Sequence, residues 1–293
     1  MRTPGHRYPS YGTIGLLLLL LMQIALFASQ APALADWHWY RITMWATPVC
    51  WWGYILVLDA WLHRRKGTAW LTARREMFTW LCLLSIGFWC VFEAYNLVLP
   101  GWAYVNLSPN MSLRLLGYTA AFATVMPGMF LTAEVLQSYD LFTGVRTRPV
   151  TWTEPTLRIS TLLGAAGVVV PVFLPAEVRG YCWAAVWVGF ILLLEPINYR
   201  RGAQSLYRDW ERGDWSRTVQ LCLAGLICGM LWEFWNFWAF TKWEYIFPTP
   251  WPAVRYFEMP VLGLLGFLPF ALEAFVVFHF VASFFTRDDR LGL

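Results

Sequence analysis

Charge is scarce in this chain: 14% of its 293 residues are Asp, Glu, Lys or Arg, against roughly 25% in an ordinary soluble domain. Histidine is scarcer still, at four residues. His63 and His279 stand singly near helix ends and no HxxxH or HxxE spacing occurs, so neither a metal nor another cofactor is expected. The six cysteines, Cys50, Cys82, Cys90, Cys182, Cys222 and Cys228, form no CxxC pair. That removes the sequence basis for a zinc ribbon, a redox motif or a disulfide framework. Most lie in apolar runs and read as buried, inert thiols. No polar stretch is long enough for a soluble domain, and with a net charge of only +4 no nucleic-acid partner is expected.

What is abundant is apolar surface. Hydrophobic residues make up 58% of the chain and aromatics 18%, with 20 Trp, and the mean hydropathy is +0.48. A soluble core of this size cannot hide that much apolar area, whereas a bilayer can. A spanning helix needs ~20 mostly apolar residues, and eight such segments are predicted: 12–30, 44–62, 78–99, 113–138, 156–175, 181–199, 217–240 and 258–285. If the N-terminus is cytoplasmic, the outside holds only Arg41, Arg114, Arg179, Lys242 and Arg255 of the 22 Lys and Arg. The positive-inside rule then places both termini in the cytoplasm of a bacterial inner membrane. Arg2 and Arg7, the run Ile14–Phe27 and Ala33-Leu34-Ala35 before Asp36 also fit a cleavable signal peptide, which would leave seven spans.

Internal repetition favours a retained first helix. Gly53-Tyr54-Ile55-Leu56-Val57-Leu58-Asp59, followed by Arg64-Arg65, matches Gly189-Phe190-Ile191-Leu192-Leu193-Leu194-Glu195 and Arg200-Arg201, 136 residues on. Glu93-Ala94-Tyr95-Asn96 matches Glu233-Phe234-Trp235-Asn236 at an offset of 140, and Trp102-Ala103-Tyr104 matches Trp243-Glu244-Tyr245 at 141. Glu134 matches Glu273 at 139. Carboxylates aligning with carboxylates, in order, predict an all-α polytopic transmembrane bundle of two parallel 4+4 repeats, residues 1–150 and 151–293, related by an axis along the membrane normal. The second half carries the denser block of Trp, Glu, Asn and Pro.

A carboxylate at a bilayer centre costs roughly 2.5–3.5 kcal/mol on insertion scales and needs a task or a partner. Glu93, Glu134, Glu233 and Glu273 are the deepest. Asp59 and Glu195 are expected to pair with the Arg-Arg that follows each. Glu233 and Asn236 share a helix face, as do Glu93 and Asn96; each pair reads either as an interhelical clamp or as part of a site. Pro260, Gly263, Gly266 and Pro269 predict a kinked or broken eighth helix, with Pro127-Gly128 as a weaker counterpart in the fourth. Interrupted helices at matching positions of two repeats point to a binding site. Trp37, Trp39, Trp51, Trp52, Trp102, Trp243 and Trp251 are expected near the interfaces, while Trp232, Trp235 and Trp238 lie deeper, in core or pocket.

The acidic residue late in each third span, the following Trp-x-aromatic loop and a Pro and Glu in each fourth span together resemble the lycopene cyclase domain of membrane-bound carotenoid cyclases, which also occurs in tandem. The matching residues are Glu233, Trp243-Glu244-Tyr245 and Pro269 with Glu273, a single Glu standing where that family has a double acid. The strings Trp232-Glu233-Phe234-Trp235-Asn236 and Phe257-Glu258-Met259-Pro260 look like the signature of a separate bacterial membrane family. The resemblance implies acid catalysis on an isoprenoid without redox chemistry. Three functions follow. The first is a membrane-embedded acid/base enzyme acting on a membrane lipid or other lipophilic small molecule. Its catalytic candidates are Glu233, Glu258 and Glu273; Asn236, Trp232, Trp235, Trp243, Tyr245, Glu93, Asn96 and Glu134 are its substrate-binding candidates. The second is a transporter using the same carboxylates, and the third a non-catalytic assembly subunit. The sequence does not set an oligomeric state.

Overall fold

The computed structural model describes residues 6–34, 38–248 and 254–285. Trp37, Trp251, the Ala35-Asp36 end of the signal-like segment, Arg2, Arg287 and Arg290 lie outside the described residues. The described chain is mostly helical. Its long helices are α1 (Ser10–Ala28), α2 (Ala46–Lys66), α3 (Arg75–Asn96), α4 (Met111–Phe122), α5 (Val125–Ser138), α6 (Glu154–Phe173), α7 (Trp183–Arg201), α8 (Ser216–Trp238) and α9 (Phe267–Phe285). Six segments are long and apolar enough to cross a membrane: α1, α3, the α4–α5 pair, α6, α8 and the stretch Val261–Phe285 that ends in α9. Helices α2 and α7 have the length too. Each, however, encloses a carboxylate and ends in a basic turn, His63–Lys66 or Arg200-Arg201.

Both interrupted helices are broken where the chain was expected to break, though not by a kink at the second proline. The fourth segment stops at Phe122 and restarts at Val125; the eighth runs as a 3-10 turn over Val261–Gly266 before α9 starts. Pro127 and Pro269 each sit third in the new helix, where a backbone donor has no intrahelical partner to lose. At the first break Ser85 of α3 supplies the missing bonds: its hydroxyl donates to Phe122 O at 2.5 Å and accepts from Met126 N at 3.0 Å. Buried backbone is tolerated in an apolar medium only with such partners.

Helices α5, α8 and α9 pack together at the centre, flanked by α2, α3 and α7, with α1 against α2 and α6 against α7. The outer pairs meet on glycine. A Cβ at Gly15 would lie 2.6 Å from Gly53 O, and one at Gly164 would lie 2.7 Å from Gly189 O. Small residues let backbones approach this closely in place of hydrophobic driving force. Trp51 is a correction: expected at an interface, it is 1% exposed in the central core, packed on Tyr54, Trp232 and Trp235.

The two ends of the bundle differ. One carries a two-stranded antiparallel ribbon of β1 (Trp102–Val105) and β2 (Lys242–Tyr245), in register Trp102 to Tyr245, Ala103 to Glu244 and Tyr104 to Trp243. A short hairpin, β3 (Arg255–Tyr256) with β4 (Met259–Pro260), lies beside the start of the 3-10 turn. The other end carries the basic helix termini and their pairs, Lys66 and Arg74 with Glu134, Arg200 with Glu154, and Arg217 with Asp209.

The glycine contacts are testable. Gly164→Ala, which drives a methyl into the backbone of α7, should cost about 1–3 kcal/mol and lower the thermal unfolding midpoint in detergent. Gly87→Ala, where a Cβ meets nothing within 4 Å, should leave the midpoint unchanged or raise it slightly, as helix propensity dictates.

Candidate functional site

The ribbon end encloses a cavity of about 840 Å³ with a mostly apolar lining. Seven tryptophans line it, Trp45, Trp89, Trp102, Trp183, Trp187, Trp232 and Trp243, together with Phe92, Phe122, Phe267 and Phe270. Its wall draws on the starts of α2, α4 and α7, the ends of α3 and α8, both ribbon strands and the 3-10 turn before α9. The broken eighth helix therefore supplies a rim, as an interrupted helix at a binding site does.

No carboxylate lines this cavity among the described residues. Four tyrosines do, Tyr104, Tyr118, Tyr181 and Tyr245, and two of them, Tyr104 and Tyr245, are each backed by a glutamate. Tyr104 donates to Glu93 Oε1 at 2.6 Å, and Tyr245 donates to Glu233 Oε1 at 2.6 Å. Burial first, and the neighbouring carboxylate second, push both phenols well above the usual tyrosine range, so both stay protonated donors.

The two dyads are unequally served. Glu93 Oε1 also accepts from Trp89 Nε1 at 2.8 Å and Trp102 Nε1 at 3.2 Å. Glu233 receives one side-chain donor, Tyr245, with the Met259 backbone beside it. Trp243, at the position matching Trp102, donates to the Tyr245 hydroxyl at 2.9 Å instead. The position 140 residues beyond Trp89 is Gly229, and the Phe267 ring occupies the space beside it.

The asparagines hold the ribbon. Asn96 accepts from Gly101 N and Trp102 N and donates to Trp102 O; Asn236 accepts from Trp243 N and donates to Trp243 O. Each ties a strand to the end of its own helix rather than to a second helix, and neither lines the cavity. Asp59 and Glu195 likewise differ from expectation. Neither pairs with the following Arg-Arg. Asp59 accepts from Leu71 N and the Tyr11 hydroxyl, while Glu195 accepts from Leu206 N, Tyr207 N and the Ser205 hydroxyl. Each pins the start of the short helix after its own, Trp70–Ala73 or Leu206–Glu211. The intervening Gly67 and Gly202, both at positive φ, turn the chain back to make this possible.

Glu134 and Glu273 diverge furthest. Glu134 is bound by Lys66 Nζ at 3.3 Å, Arg74 Nη2 at 3.1 Å and Trp70 Nε1 at 2.5 Å. Glu273 is fully buried, and no hydrogen bond reaches either of its oxygens. The 136 residues that separate Asp59 from Glu195 also convert Lys66, Trp70 and Arg74 into Gly202, Leu206 and Trp210. Every donor to the first glutamate is replaced by a residue that cannot serve the second from the same place, Gly and Leu having no donor and Trp210 giving its Nε1 to Thr218.

Among the predicted residues, then, Trp232, Trp243 and Tyr245 line the aromatic cavity, while Glu93 and Glu233 act on it through tyrosines. Trp235 is core. Glu258 is taken up by Lys242 at 2.5 Å. Glu134 lines a separate polar cavity of about 330 Å³ at the basic end, with Arg146, Asp209, Asp214 and Arg217. Tyr104, Trp89 and Trp183 lay outside the predicted set. Tyr104 was visible as the partner of Tyr245 in the repeated Trp-x-Tyr, but Trp89 and Trp183 had no sequence signal beyond being aromatic.

Glu134→Gln should remove the carboxylate shared by Lys66 and Arg74, two cations each about a third exposed, at a cost of about 1–2 kcal/mol, and lower the thermal midpoint by several degrees. Glu273→Gln breaks no bond and should stay within about 0.5 kcal/mol of wild type; scanning calorimetry of both variants checks the contrast. Comparison of the chain with protein-family models, with curated proteins and with solved structures returns no match.

Proposed function

We propose that this chain is a membrane-embedded acid/base enzyme that takes a lipophilic substrate, an isoprenoid or lipid, into the aromatic cavity. One observation carries the reading: a large, mostly apolar, tryptophan-lined cavity whose wall presents two tyrosine hydroxyls, each hydrogen-bonded to a buried or half-buried glutamate. An apolar guest loses nothing on entering such a space, whereas a polar solute would forfeit its hydration. The lining thus favours an enzyme over a transporter of polar solutes.

The chemistry runs through Glu233 and Tyr245. Tyr245 gives its proton to one carbon of a substrate double bond, the π pair forming the new C–H bond, and protonated Glu233 restores the phenol through their 2.6 Å hydrogen bond. The cation left on the substrate faces indole and phenyl rings, whose π faces stabilise positive charge. The Tyr245–Glu233 dyad, now one proton short, takes back a neighbouring proton from the cation, which closes the sequence with no change of oxidation state. Glu233, with one side-chain donor against three for Glu93, suits the role of acid better. This is the chemistry that a lycopene-cyclase-like ancestry implies.

The same reading includes eight spans in two parallel halves, with both termini on the cytoplasmic side of a bacterial inner membrane. Support comes from matched partners at matched positions: Asp59 and Glu195 on short-helix amides, Asn96 and Asn236 on ribbon backbone, Tyr104 and Tyr245 on Glu93 and Glu233. The ribbon adds a further sign. Trp102 faces Tyr245 while Tyr104 faces Trp243, the self-complementary register of a local two-fold.

The test is to express the full chain beside Tyr245→Phe and Glu233→Gln and compare lipid and pigment extracts by mass spectrometry. Loss of a general acid should lower product about 10²–10⁴-fold in both variants, with Tyr104→Phe affected less. Extracts identical to wild type in Tyr245→Phe and Glu233→Gln alike would remove this function.

A further inference from the structure

The aromatic-cavity chemistry leaves Glu273 unused. It is 0% exposed and neither oxygen is hydrogen-bonded. Two further orphaned atoms lie along the same helix. Asn198 of α7, also 0% exposed, donates Nδ2 to Val276 O of α9 at 3.0 Å, and its Oδ1 has no partner. His279, 3% exposed, has no partner for Nε2. Positions 273, 276 and 279 of α9 are successive neighbours on a helix surface, about 4.5 Å apart along the axis. A carboxyl, an amide oxygen and an imidazole nitrogen are thereby strung over roughly 9 Å, none bonded to the next.

The lower end of this string approaches the polar cavity at the basic end. The His279 ring packs on Phe275 at 4.3 Å between centroids. Phe275 lines that cavity, and Arg217, which lines it too, stands over the same ring at 5.2 Å. One aromatic ring therefore separates His279 from a chamber rich in charged side chains. Asp209 and Asp214 on its wall titrate differently. Burial pushes Asp209 up, against the pull of Arg217, and a hydrogen bond from Ser216 pulls Asp214 down.

The charged and titratable groups on the helices around Glu273 are otherwise engaged. Tyr95 of α3, which it influences electrostatically, donates to Val168 O at 2.8 Å. Glu195 of α7 is held by Ser205, Leu206 and Tyr207, Glu233 of α8 by Tyr245, and Glu134 of α5 by Lys66, Arg74 and Trp70. Arg217 of α8 pairs with Asp209. A carboxylate without donor or counter-ion in such surroundings is stabilised by one ligand above others, a proton.

We infer that Glu273 is a proton-loading site, filled from the basic end of the bundle along His279 and Asn198. The carboxylate takes a proton from hydronium, a water is released, and the step reverses when the proton is withdrawn. Glu134, at the matching position, is excluded from this role by its two cations. The inference goes beyond the cavity reading and does not depend on it, since Glu273 does not line that cavity.

Infrared spectroscopy of the full chain in liposomes tests it, because a protonated carboxyl has a C=O stretch distinct from a carboxylate and shifts in D₂O. The wild type should show a protonated-carboxyl component that is lost in Glu273→Gln and kept in Glu233→Gln, Glu134→Gln and Tyr245→Phe, which separates it from any signal of Glu233. Deuteration of that band should slow at least tenfold in His279→Phe and in Asn198→Leu, with its amplitude kept. A protonated-carboxyl signal that is the same in wild type and Glu273→Gln, or deuteration as fast as wild type in both path variants, overturns the inference. Should the Gln variant fail to fold, Glu273→Asp keeps an acid and should shift the band; an unshifted band there counts against it equally. Persistence of the band in Tyr245→Phe separates this outcome from failure of the cavity chemistry.

Discussion

A carboxyl group inside an apolar bundle must be given hydrogen-bond donors, a counter-ion or a proton, and this chain places six of them there. The cost of leaving one unserved exceeds what any single helix contact returns, so the surrounding chain is arranged to serve them. Asp59 and Glu195 bind the first amides of the short helices that follow, which turns the chain back toward the bundle. Glu93 and Glu233 draw Tyr104 and Tyr245 down from the ribbon, while Asn96 and Asn236 fix its backbone. The ribbon, the short helices and the cavity wall are all positioned by these bonds. Helix packing on glycine then closes the bundle around them.

The same constraint explains why the two ends differ in kind. At the basic end, Lys66 and Arg74 reach Glu134 from loops close to water, and the space between helices is polar. At the ribbon end the carboxylates are answered by indole and phenol donors, which satisfy a glutamate on one edge and present an apolar face on the other. A wall built from such residues is polar behind and apolar in front. That combination produces a cavity fit for a lipophilic guest without leaving a glutamate bare.

Much of this was legible in the sequence. The apolar runs located most long helices to within a few residues, but the fourth run holds two helices and the eighth helix starts at Phe267, nine residues after the run begins. Pro127 and Pro269 marked both helix breaks, although each acts as a first-turn residue of a new helix rather than as a kink in an old one. What the sequence did not display was the direction of each polar side chain. Asp59 and Glu195 invite pairing with the adjacent Arg-Arg, but the helix cap at Gly67 or Gly202 reverses the chain and delivers backbone amides instead. Trp51 sits among residues that suit an interface, yet the centre of the bundle claims it because Gly128 leaves room for its ring. Ser85, which repairs the first helix break, and Trp89, which completes the set around Glu93, depend on neighbours from other helices and have no local signature.

The differences between the halves carry more functional meaning than their likeness. On the repeat reading, the cavity straddles both halves, so a guest meets two tyrosine–glutamate dyads in related positions, Tyr104 with Glu93 and Tyr245 with Glu233. Two equal dyads would give such a guest no preferred direction for proton transfer. Gly229 in place of a Trp89-like donor, and Trp243 turned toward the phenol rather than the carboxyl, leave Glu233 one side-chain donor while Glu93 has three. Glu134 and Glu273 show the same contrast in sharper form, one with three donors and one with none.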